Sequence, residues 1–239
     1  MSETIKVTID GKECSCAKGE LLYDVAQRNG IFIPALCRNE DFEERLANCR
    51  VCICEVEVGG RRRVVTSCNY PLTENCEVWT KNDKIARERG LIVSLLHHRA
   101  PDAESISQIK DTIGLGHIEG FTTIDSEGCI MCGRCVQACE ELGASAIRTV
   151  GAGTEKRIAP PFGKPPKPCI GCLNCAKACP TDAIPYSEDE KTRSIWGRNF
   201  TLAYCENCGK LLGTAAMVSF EAHKAGHEAV LLCEDCQKN

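Results

Sequence analysis

The fold of this chain is decided by two stretches of sequence, CIMCGRCVQAC at residues 129–139 and CIGCLNCAKAC at residues 169–179. Both have the cysteine spacing C-x2-C-x2-C-x3-C. One tight loop with this spacing offers three thiolates to three corners of a cubic iron–sulfur cluster, and the fourth corner needs a ligand from elsewhere. In two-cluster bacterial ferredoxins, the last cysteine of each run binds the cluster of the other run.

The crossed pattern predicts two [4Fe–4S] clusters here. One is expected on Cys129, Cys132, Cys135 and Cys179, and the other on Cys169, Cys172, Cys175 and Cys139. Zinc knuckles are the alternative, but three closely spaced cysteines in each run would over-supply a tetrahedral site. The internal duplication also predicts a module with pseudo-twofold symmetry.

A third, looser set consists of Cys37, Cys49, Cys52 and Cys68, with eleven, two and fifteen residues between successive cysteines. Plant-type [2Fe–2S] ferredoxins have a shorter first loop, but they share the close pair and the distant fourth cysteine. The set therefore predicts a [2Fe–2S] cluster. The alternative is that these cysteines are small buried hydrophobic residues, and this is the interpretation given to Cys14, Cys16, Cys54 and Cys76.

The C-terminal region contains two further C-x2-C pairs, Cys205/Cys208 and Cys233/Cys236. Together they suit a four-cysteine zinc ribbon, which we favour. A rubredoxin-like iron or a third [4Fe–4S] cluster would use the same ligands. His223 and His227 lie four residues apart on a predicted helix and are interpreted as surface residues.

Polar and apolar residues alternate in several short segments, as they do in half-buried strands. Asp10-Gly11 and Gly59-Gly60 are turn signals that predict hairpins. Strands are expected at residues 4–9, 13–17, 51–58 and 63–66, and helices at residues 20–27 and 83–98.

These elements predict an α+β protein with four parts. They are a β-grasp [2Fe–2S] ferredoxin domain (1–80), a helical connector (81–125), a two-[4Fe–4S] bacterial ferredoxin-like domain (126–188) and a small C-terminal four-cysteine metal ribbon (189–239). Residues 187–200 are charged, and this composition predicts a linker.

Composition and motifs exclude several classes of protein. The net charge of −4 argues against nucleic acid as a partner. No apolar run approaches the ~18 residues of a membrane span. Residues 1–10 lack the apolar segment of a signal peptide, so the cysteines are expected to bind metals in the cytoplasm rather than to form disulfides. No complete phosphate-binding loop or Ser/His/Asp arrangement is present, and no catalytic residue is predicted.

Three segments resemble the N-terminal part of the large iron–sulfur subunit of respiratory complex I. They are LCRNEDFEERLANCRVCICEVE (36–57), CIMCGRCVQACEELGASAI (129–147) and KPCIGCLNCAKACPTDAI (167–184). The resemblance covers about residues 4–186. The short length is more similar to the soluble relatives, which are the diaphorase iron–sulfur subunits of NAD-linked hydrogenases and the corresponding subunits of formate dehydrogenases and electron-bifurcating transhydrogenases.

The resemblance implies a non-catalytic subunit that relays electrons. Its partners would be a flavin- and NADH-binding iron–sulfur subunit and a second redox subunit of the hydrogenase, formate dehydrogenase or flavin transhydrogenase type. Such relatives also carry a cluster held by one histidine and three cysteines, but residues 95–108 contain no cysteine, so that cluster is not expected. A free polyferredoxin-type carrier and a non-redox, metal-stabilised interaction module are the alternatives.

Overall fold

The computed structural model describes residues 4–38, 42, 46–116 and 127–237. The chain forms two compact units, residues 1–132 and residues 133–239. Within the described ranges, no helix has the length and apolar character needed to cross a bilayer. The boundaries of the four predicted domains stay predictions.

The first unit is built around a five-stranded sheet. Its elements are β1 (Thr4–Ile9), β2 (Lys12–Ala17), α1 (Leu22–Arg28), β3 (Ile53–Val58), β4 (Arg61–Thr66), the 3-10 turn Ser67–Asn69, β5 (Cys76–Trp79), α2 (Asp83–Arg99) and α3 (Glu104–Thr112). The strand order is β2-β1-β5-β3-β4, and β1 runs parallel to β5 while the other pairs are antiparallel. Leu22, Val25 and Ala26 of α1 are buried against this sheet, which gives a β-grasp arrangement.

Both hairpins of the sheet close through two-residue turns. The φ angles are +48° and +82° at Asp10 and Gly11, and +55° and +76° at Gly59 and Gly60. Positive φ at both central residues matches the right-handed twist of the flanking strands. The two hairpins predicted from these dipeptides are confirmed.

Cysteines outside the predicted ligand sets contribute to the core of this sheet. Cys14 and Cys16 lie opposite Val7 and Ile5 in the β1–β2 register, and all four side chains are buried. Cys54 is also fully buried, and burial raises the pKa of its thiol to about 12. Such thiols stay protonated and pack as small hydrophobic groups.

The predicted connector contains more structure than its sequence indicated. Its first helix, α2, begins after Asn82, whose side chain accepts a hydrogen bond from the backbone nitrogen of Ile85 at 2.9 Å. The polar stretch that follows was predicted only as part of the helical connector, with no helix assigned within it, and it includes α3. Ile106 and Ile109 of α3 are buried together with Val93 of α2. This packing stabilises a short helix that would be only marginally stable by itself. Residues 117–126 lie outside the described residues.

The second unit contains a four-stranded sheet and two helices that begin within the cysteine runs. Its elements are α4 (Arg134–Leu142), β6 (Arg148–Val150), the 3-10 turn Gly153–Glu155, β7 (Arg157–Ala159), the 3-10 turn Pro161–Gly163, α5 (Asn174–Lys177), β8 (Tyr186–Glu188), β9 (Thr192–Ile195), β10 (Arg198–Tyr204), β11 (Leu211–Thr214), α6 (Ala215–Ala225) and α7 (Glu234–Gln237). The antiparallel order is β11-β10-β9-β8, and β6 and β7 form a separate hairpin.

The charged stretch at residues 187–200 is not a linker, contrary to the prediction. It contains most of β8, all of β9 and the start of β10. Ile195 and Phe200 are buried in the core of the second unit, together with Cys139, Cys175 and other residues of the cysteine runs. We call the sheet formed by β8 to β11 the C-terminal sheet.

The internal duplication is visible in the backbone. Met131 and Gly171 occupy equivalent positions of the two runs, and both have positive φ angles, +56° and +70°. Gly133 and Leu173 are equivalent as well, with φ angles of +86° and +65°, and each precedes a helix. The same pair of left-handed turns therefore shapes both cysteine loops.

A buried arginine ties α2 to the sheet of the first unit. The guanidinium of Arg89 donates to the carbonyl oxygens of Val51 (3.0 Å), Thr80 (2.8 Å) and Ile53. Val51 and Ile53 flank Cys52, so this side chain fixes the backbone on both sides of a predicted ligand. Burial lowers the pKa of Arg89, but a guanidinium remains charged in proteins.

We expect Arg89→Lys to loosen the start of β3. A lysine ammonium cannot reach three carbonyls with the fork geometry of a guanidinium, and losing two bonds to a charged group costs about 3 kcal/mol. Amide hydrogen exchange in β3, followed by mass spectrometry, should become about a hundredfold faster. The exposed Arg87→Lys is the control. Equal exchange in the two variants would contradict the assigned role.

Candidate metal centres

The first cysteine group lies at one end of the β3–β4 hairpin. Cys52 precedes β3, and Cys68 lies in the 3-10 turn that follows β4. Ser67 ties the two ends together, because its backbone nitrogen (3.1 Å) and its hydroxyl (2.9 Å) both donate to the carbonyl of Cys52. The thiols of Cys52 and Cys68 are consequently close enough to share a hydrogen bond.

Cys37 and Cys49 complete this group from the loop between α1 and β3, and all four cysteines are buried. The backbone nitrogen of Cys49 donates to the Sγ of Cys37 at 3.5 Å. Hydrogen bonds from the thiols of Cys49 and Cys68 hold the pKa of Cys37 far below its usual value. The bond from Cys68 likewise lowers the pKa of Cys52 to about 7 despite its burial. The same bonds raise the pKa of Cys49 and Cys68, so two of the four groups favour the thiolate form, which is the form that binds iron–sulfur clusters.

A second cysteine group lines one pocket in the second unit. Its members are Cys139, Cys169, Cys172 and Cys175. Three come from the second run and one is the last cysteine of the first run, which is the crossed combination that the spacing predicts. Apolar side chains form much of the remaining wall, namely Ile147, Ile170, Leu173, Ile195 and the ring of Trp196. Thiol donors in an apolar setting fit a cubic cluster.

Arg198 of the C-terminal sheet holds the loop that leads into the second run. Its Nη1 atom lies within donor distance of the carbonyl oxygens of Pro166 (2.9 Å), Lys167 (2.7 Å) and Cys169 (2.7 Å). Its charge lowers the pKa of Cys169, although burial raises that pKa more strongly. One side chain therefore both fixes the loop and supplies positive charge beside a predicted ligand.

Gly171 lies where the C-terminal sheet approaches this loop most closely. Arg193 donates to its carbonyl at 2.7 Å, and the hydroxyl of Thr214 donates to the carbonyl of Ile170. A Cβ atom on Gly171 would lie 2.7 Å from the ring of Phe200. The position also has a left-handed backbone, which favours glycine; since the equivalent Met131 has a similar φ angle, the close approach of Phe200 is the stronger constraint.

Two N–H groups point at sulfur atoms of the second group. The backbone nitrogen of Ala146 donates to the Sγ of Cys139 at 3.1 Å, and the Nε1 of Trp196 donates to the Sγ of Cys175 at 3.5 Å. Burial raises the pKa of Cys175 to about 11, and the indole bond opposes that increase. Hydrogen bonds to ligand sulfurs are among the factors that set the potential of a bound cluster.

The remaining ferredoxin-type set consists of Cys129, Cys132, Cys135 and Cys179. The first two belong to the first unit and the last two to the second unit, and this ligand set stays a prediction. Locally, the side chains of Arg99 and Asn48 donate to the carbonyls of Cys129 and Cys132, the latter at 3.1 Å. The backbone nitrogen of Ala183 donates to the Sγ of Cys179 at 3.3 Å.

The C-terminal group is the tightest. The Sγ atoms of Cys205, Cys208, Cys233 and Cys236 all lie within 4.8 Å of one another. Cys208 and Cys233 are 3.6 Å apart, and the backbone nitrogen of Cys233 donates to the Sγ of Cys205 at 3.4 Å. That bond lowers the pKa of Cys205 to about 6. His223 and His227 are exposed and do not belong to the group.

Comparison with protein families assigns both cluster types to segments of the chain. Residues 2–83 match the 2Fe-2S iron-sulfur cluster binding domain, and residues 122–186 match the 4Fe-4S dicluster domain. The chain combines these two iron–sulfur domains. The predicted α+β fold class is confirmed, and residues 187–239 lie beyond both matches.

Similar proteins include subunits of oxidoreductases that are named for NADPH, NADP or NADH. The alpha subunit of NADPH-Fe(3+) oxidoreductase from Geobacter sulfurreducens is 32% identical over 229 residues, a match covering 85% of this chain and 26% of that protein. Subunit HndD of the NADP-reducing hydrogenase from Solidesulfovibrio fructosivorans is 29% identical, and the match covers 75% of this chain and 36% of that protein. An NADH-quinone oxidoreductase subunit from Rhizobium meliloti is 28% identical, and the match covers 86% of this chain and 27% of that protein.

The chain spans between 26% and 36% of the length of these relatives. A solved structure of NAD+-reducing [NiFe]-hydrogenase in the H2-reduced state has a similar fold, with a TM-score of 0.56 and 23% identity over 66% of this chain and 75% of that chain. The resemblance inferred from the three cysteine-rich segments is confirmed by these matches.

Sequence reasoning missed the side chains of the C-terminal sheet that build the pocket. Arg193, Trp196 and Arg198 belong to the stretch that was interpreted as a linker because of its charges. A signal was present, since polar and apolar residues alternate from Asn199 to Leu202, shortly after Trp196-Gly197.

We expect Gly171→Ala to weaken the second centre. The added methyl group must displace Phe200 or the loop, and overpacking of this kind costs about 1–3 kcal/mol. Anaerobically purified protein should unfold at a lower temperature and retain less iron than the parent. Gly163→Ala is the control, because Gly163 also has a positive φ angle but has open space around it. Similar losses in both variants would show that backbone strain alone, and not the close approach, requires Gly171.

Proposed function

We propose that the chain is an electron-relay iron–sulfur subunit of a multi-subunit NAD(P)H-linked oxidoreductase. The observation that carries this proposal is the pocket shared by Cys139 and three cysteines of the second run. The clusters, when bound, would accept and release single electrons. The protein would hold each cluster by thiolates and adjust it through N–H groups and burial, without a catalytic residue of its own.

The proposed ligand sets are those that the spacing predicts. They are Cys37, Cys49, Cys52 and Cys68 for one [2Fe–2S] cluster, Cys139, Cys169, Cys172 and Cys175 for one [4Fe–4S] cluster, and Cys129, Cys132, Cys135 and Cys179 for a second [4Fe–4S] cluster. The sulfur contacts of the first set, which link Cys37 to Cys49 and Cys68, and Cys68 to Cys52, support a single site shared by all four cysteines.

We infer that the chain exchanges electrons with two partner subunits. One partner would bind flavin and NADH or NADPH. The other would be a redox subunit of the hydrogenase, formate dehydrogenase or flavin transhydrogenase type. A partner of the transhydrogenase type would make the complex electron-bifurcating. The relatives named as NADP-reducing hydrogenase and NADH-quinone oxidoreductase subunits support this inference. We propose a cytoplasmic location, because none of the twenty cysteines forms a disulfide.

We propose a single zinc ion at the C-terminal group. Around a tetrahedral zinc with Zn–S bonds of about 2.3 Å, the sulfur atoms lie about 3.8 Å apart, and the separations here, 3.6 Å for one pair and within 4.8 Å for all, agree with that size. A cubic cluster holds its thiolates outside four separate iron corners and therefore needs a wider set. Across the described ranges, this is the one group of potential ligands that is drawn together so closely.

The ligand assignment can be tested on anaerobically purified protein. We expect about ten iron and ten acid-labile sulfide per chain. Cys52→Ala should lower the iron content by about two and abolish the [2Fe–2S] signal in low-temperature EPR. Cys54→Ala is the matched control, because this buried cysteine lies two residues away and belongs to no ligand set.

Several results would contradict the relay. Iron near zero in protein kept free of oxygen would leave the metal-stabilised interaction module as the function. Reducible clusters in a chain that purifies from its native host without partner subunits would favour the free polyferredoxin-type carrier. Loss of the [2Fe–2S] signal in Cys54→Ala as well as in Cys52→Ala would show that the first set is wrongly assigned.

Metal analysis of Cys236→Ser tests the zinc site. We expect the zinc content to fall from about one to near zero per chain while iron stays at about ten. Cys76→Ser, at a half-buried cysteine outside every set, should leave both metals unchanged. An iron loss of about four would indicate a third [4Fe–4S] cluster, and an iron loss of about one would indicate a rubredoxin-like site.

A further inference from the structure

Trp196 occupies an unusual position in the second unit. It forms the two-residue turn between β9 and β10 together with Gly197, and the φ angles of the two residues are +54° and +71°. Turns of this type strongly favour asparagine, aspartate or glycine at the first position. A tryptophan with positive φ is a genuine outlier, and such outliers cluster at functional sites.

The side chain of Trp196 explains why a large residue lies in this turn. Its ring forms part of the wall of the pocket lined by the second cysteine group, and its Nε1–H donates to the Sγ of Cys175 at 3.5 Å. Asparagine or glycine would suit the backbone better but could not supply both the apolar wall and the distant N–H group.

The surrounding sheet fixes this geometry. Ile195 immediately before the turn is buried in the same core as Cys175, and Arg198 immediately after Gly197 is bound to the carbonyls of the cysteine loop. A Cβ atom on Gly197 would lie 3.4 Å from Pro165, so the turn is packed against the segment that leads into the second run. Contacts made by β9 and by β10, the strands on either side of the turn, therefore hold the indole against Cys175.

We propose that Trp196 raises the reduction potential of the [4Fe–4S] cluster bound by Cys139, Cys169, Cys172 and Cys175, by donating its indole N–H to the thiolate of Cys175. The proposal rests on the ligand set given above. On reduction, the cluster takes one electron from the donor, and no covalent bond forms or breaks. The reduced cluster carries one more negative charge, so the positive end of the N–H dipole stabilises it more than it stabilises the oxidised form.

The direct test is Trp196→Phe, which keeps an apolar ring and removes the N–H group. In EPR-monitored redox titrations of the full chain, we expect the equilibrium constant for reduction of one [4Fe–4S] cluster to fall three- to tenfold. For a one-electron couple this is a decrease of about 30–60 mV. The [2Fe–2S] signal should titrate as in the parent.

Trp196→Asn separates the electrostatic role from a structural one. Asparagine suits the left-handed turn, so a residue that served the turn alone could be replaced with no change in potential. We expect the potential of the same cluster to fall in this variant as well. An unchanged potential in both variants, with full iron and sulfide content, would overturn the inference and leave the ligand assignment intact.

Trp79 provides the matched control, because the chain has two tryptophans and Trp79 lies on β5 in the first unit beneath the guanidinium of Arg62. Trp79→Phe should leave the potential of the proposed cluster unchanged. In Trp79→Phe protein labelled with 15N-indole, pulsed EPR of the reduced protein should show a nitrogen hyperfine coupling from Trp196 without any change at that residue. Absence of the coupling in fully loaded protein would also overturn the inference.

The failure of the proposed function would look different. If the parent protein contains no [4Fe–4S] signal, or if Cys175→Ala leaves both [4Fe–4S] signals and the iron content unaltered, the ligand set is wrong. A shift of potential in Trp79→Phe equal to that in Trp196→Phe would instead indicate a general loss of order, which would also contradict the specific role of Trp196.

Discussion

Thiolates repel one another, and the repulsion grows as protein replaces water around them. Every predicted centre in this chain must hold four such groups close together, and most of them are buried. The free energy for this comes from the bound metal and from the backbone that fixes the sulfur positions before metal binds. The hairpin end at Cys52 and Cys68, the paired left-handed turns of the two runs and the closed C-terminal group are three solutions to this constraint.

Arginine side chains serve the same purpose in both units. Arg89 in the first unit and Arg198 in the second each contact three backbone carbonyls, and some of these belong to a predicted ligand or to the residues beside one. Carbonyl oxygens satisfy the guanidinium without cancelling its charge, in contrast to a carboxylate partner. A permanent cation is thus placed near Cys52 and near Cys169, where it would offset part of the negative charge of thiolates.

The sequence predicted the parts of the structure that depend on short-range patterns. Dipeptides such as Asp10-Gly11 and Gly59-Gly60 act locally, and the hairpins that they predict are present, whereas the ligand sets that the cysteine spacing predicts stay predictions. Helix α3 and the C-terminal sheet were missed because long-range packing decides them. Arg193 illustrates the reason: a charged residue is expected to be exposed, yet this one is buried because it reaches the carbonyl of Gly171 and pairs with Glu188 at 2.5 Å.

The contribution of the C-terminal sheet to the pocket has a consequence for the modularity of this protein. The region that matches the dicluster family ends at residue 186, whereas Arg193, Trp196, Arg198 and Phe200 support the second cysteine loop from outside it. A cassette cut at the family boundary would carry all the ferredoxin-type cysteines and lose the wall behind one cluster. In this chain, the unit that can be exchanged between proteins is therefore larger than the recognisable motif, and recombination at the motif's edge would yield a cluster open to water and oxygen.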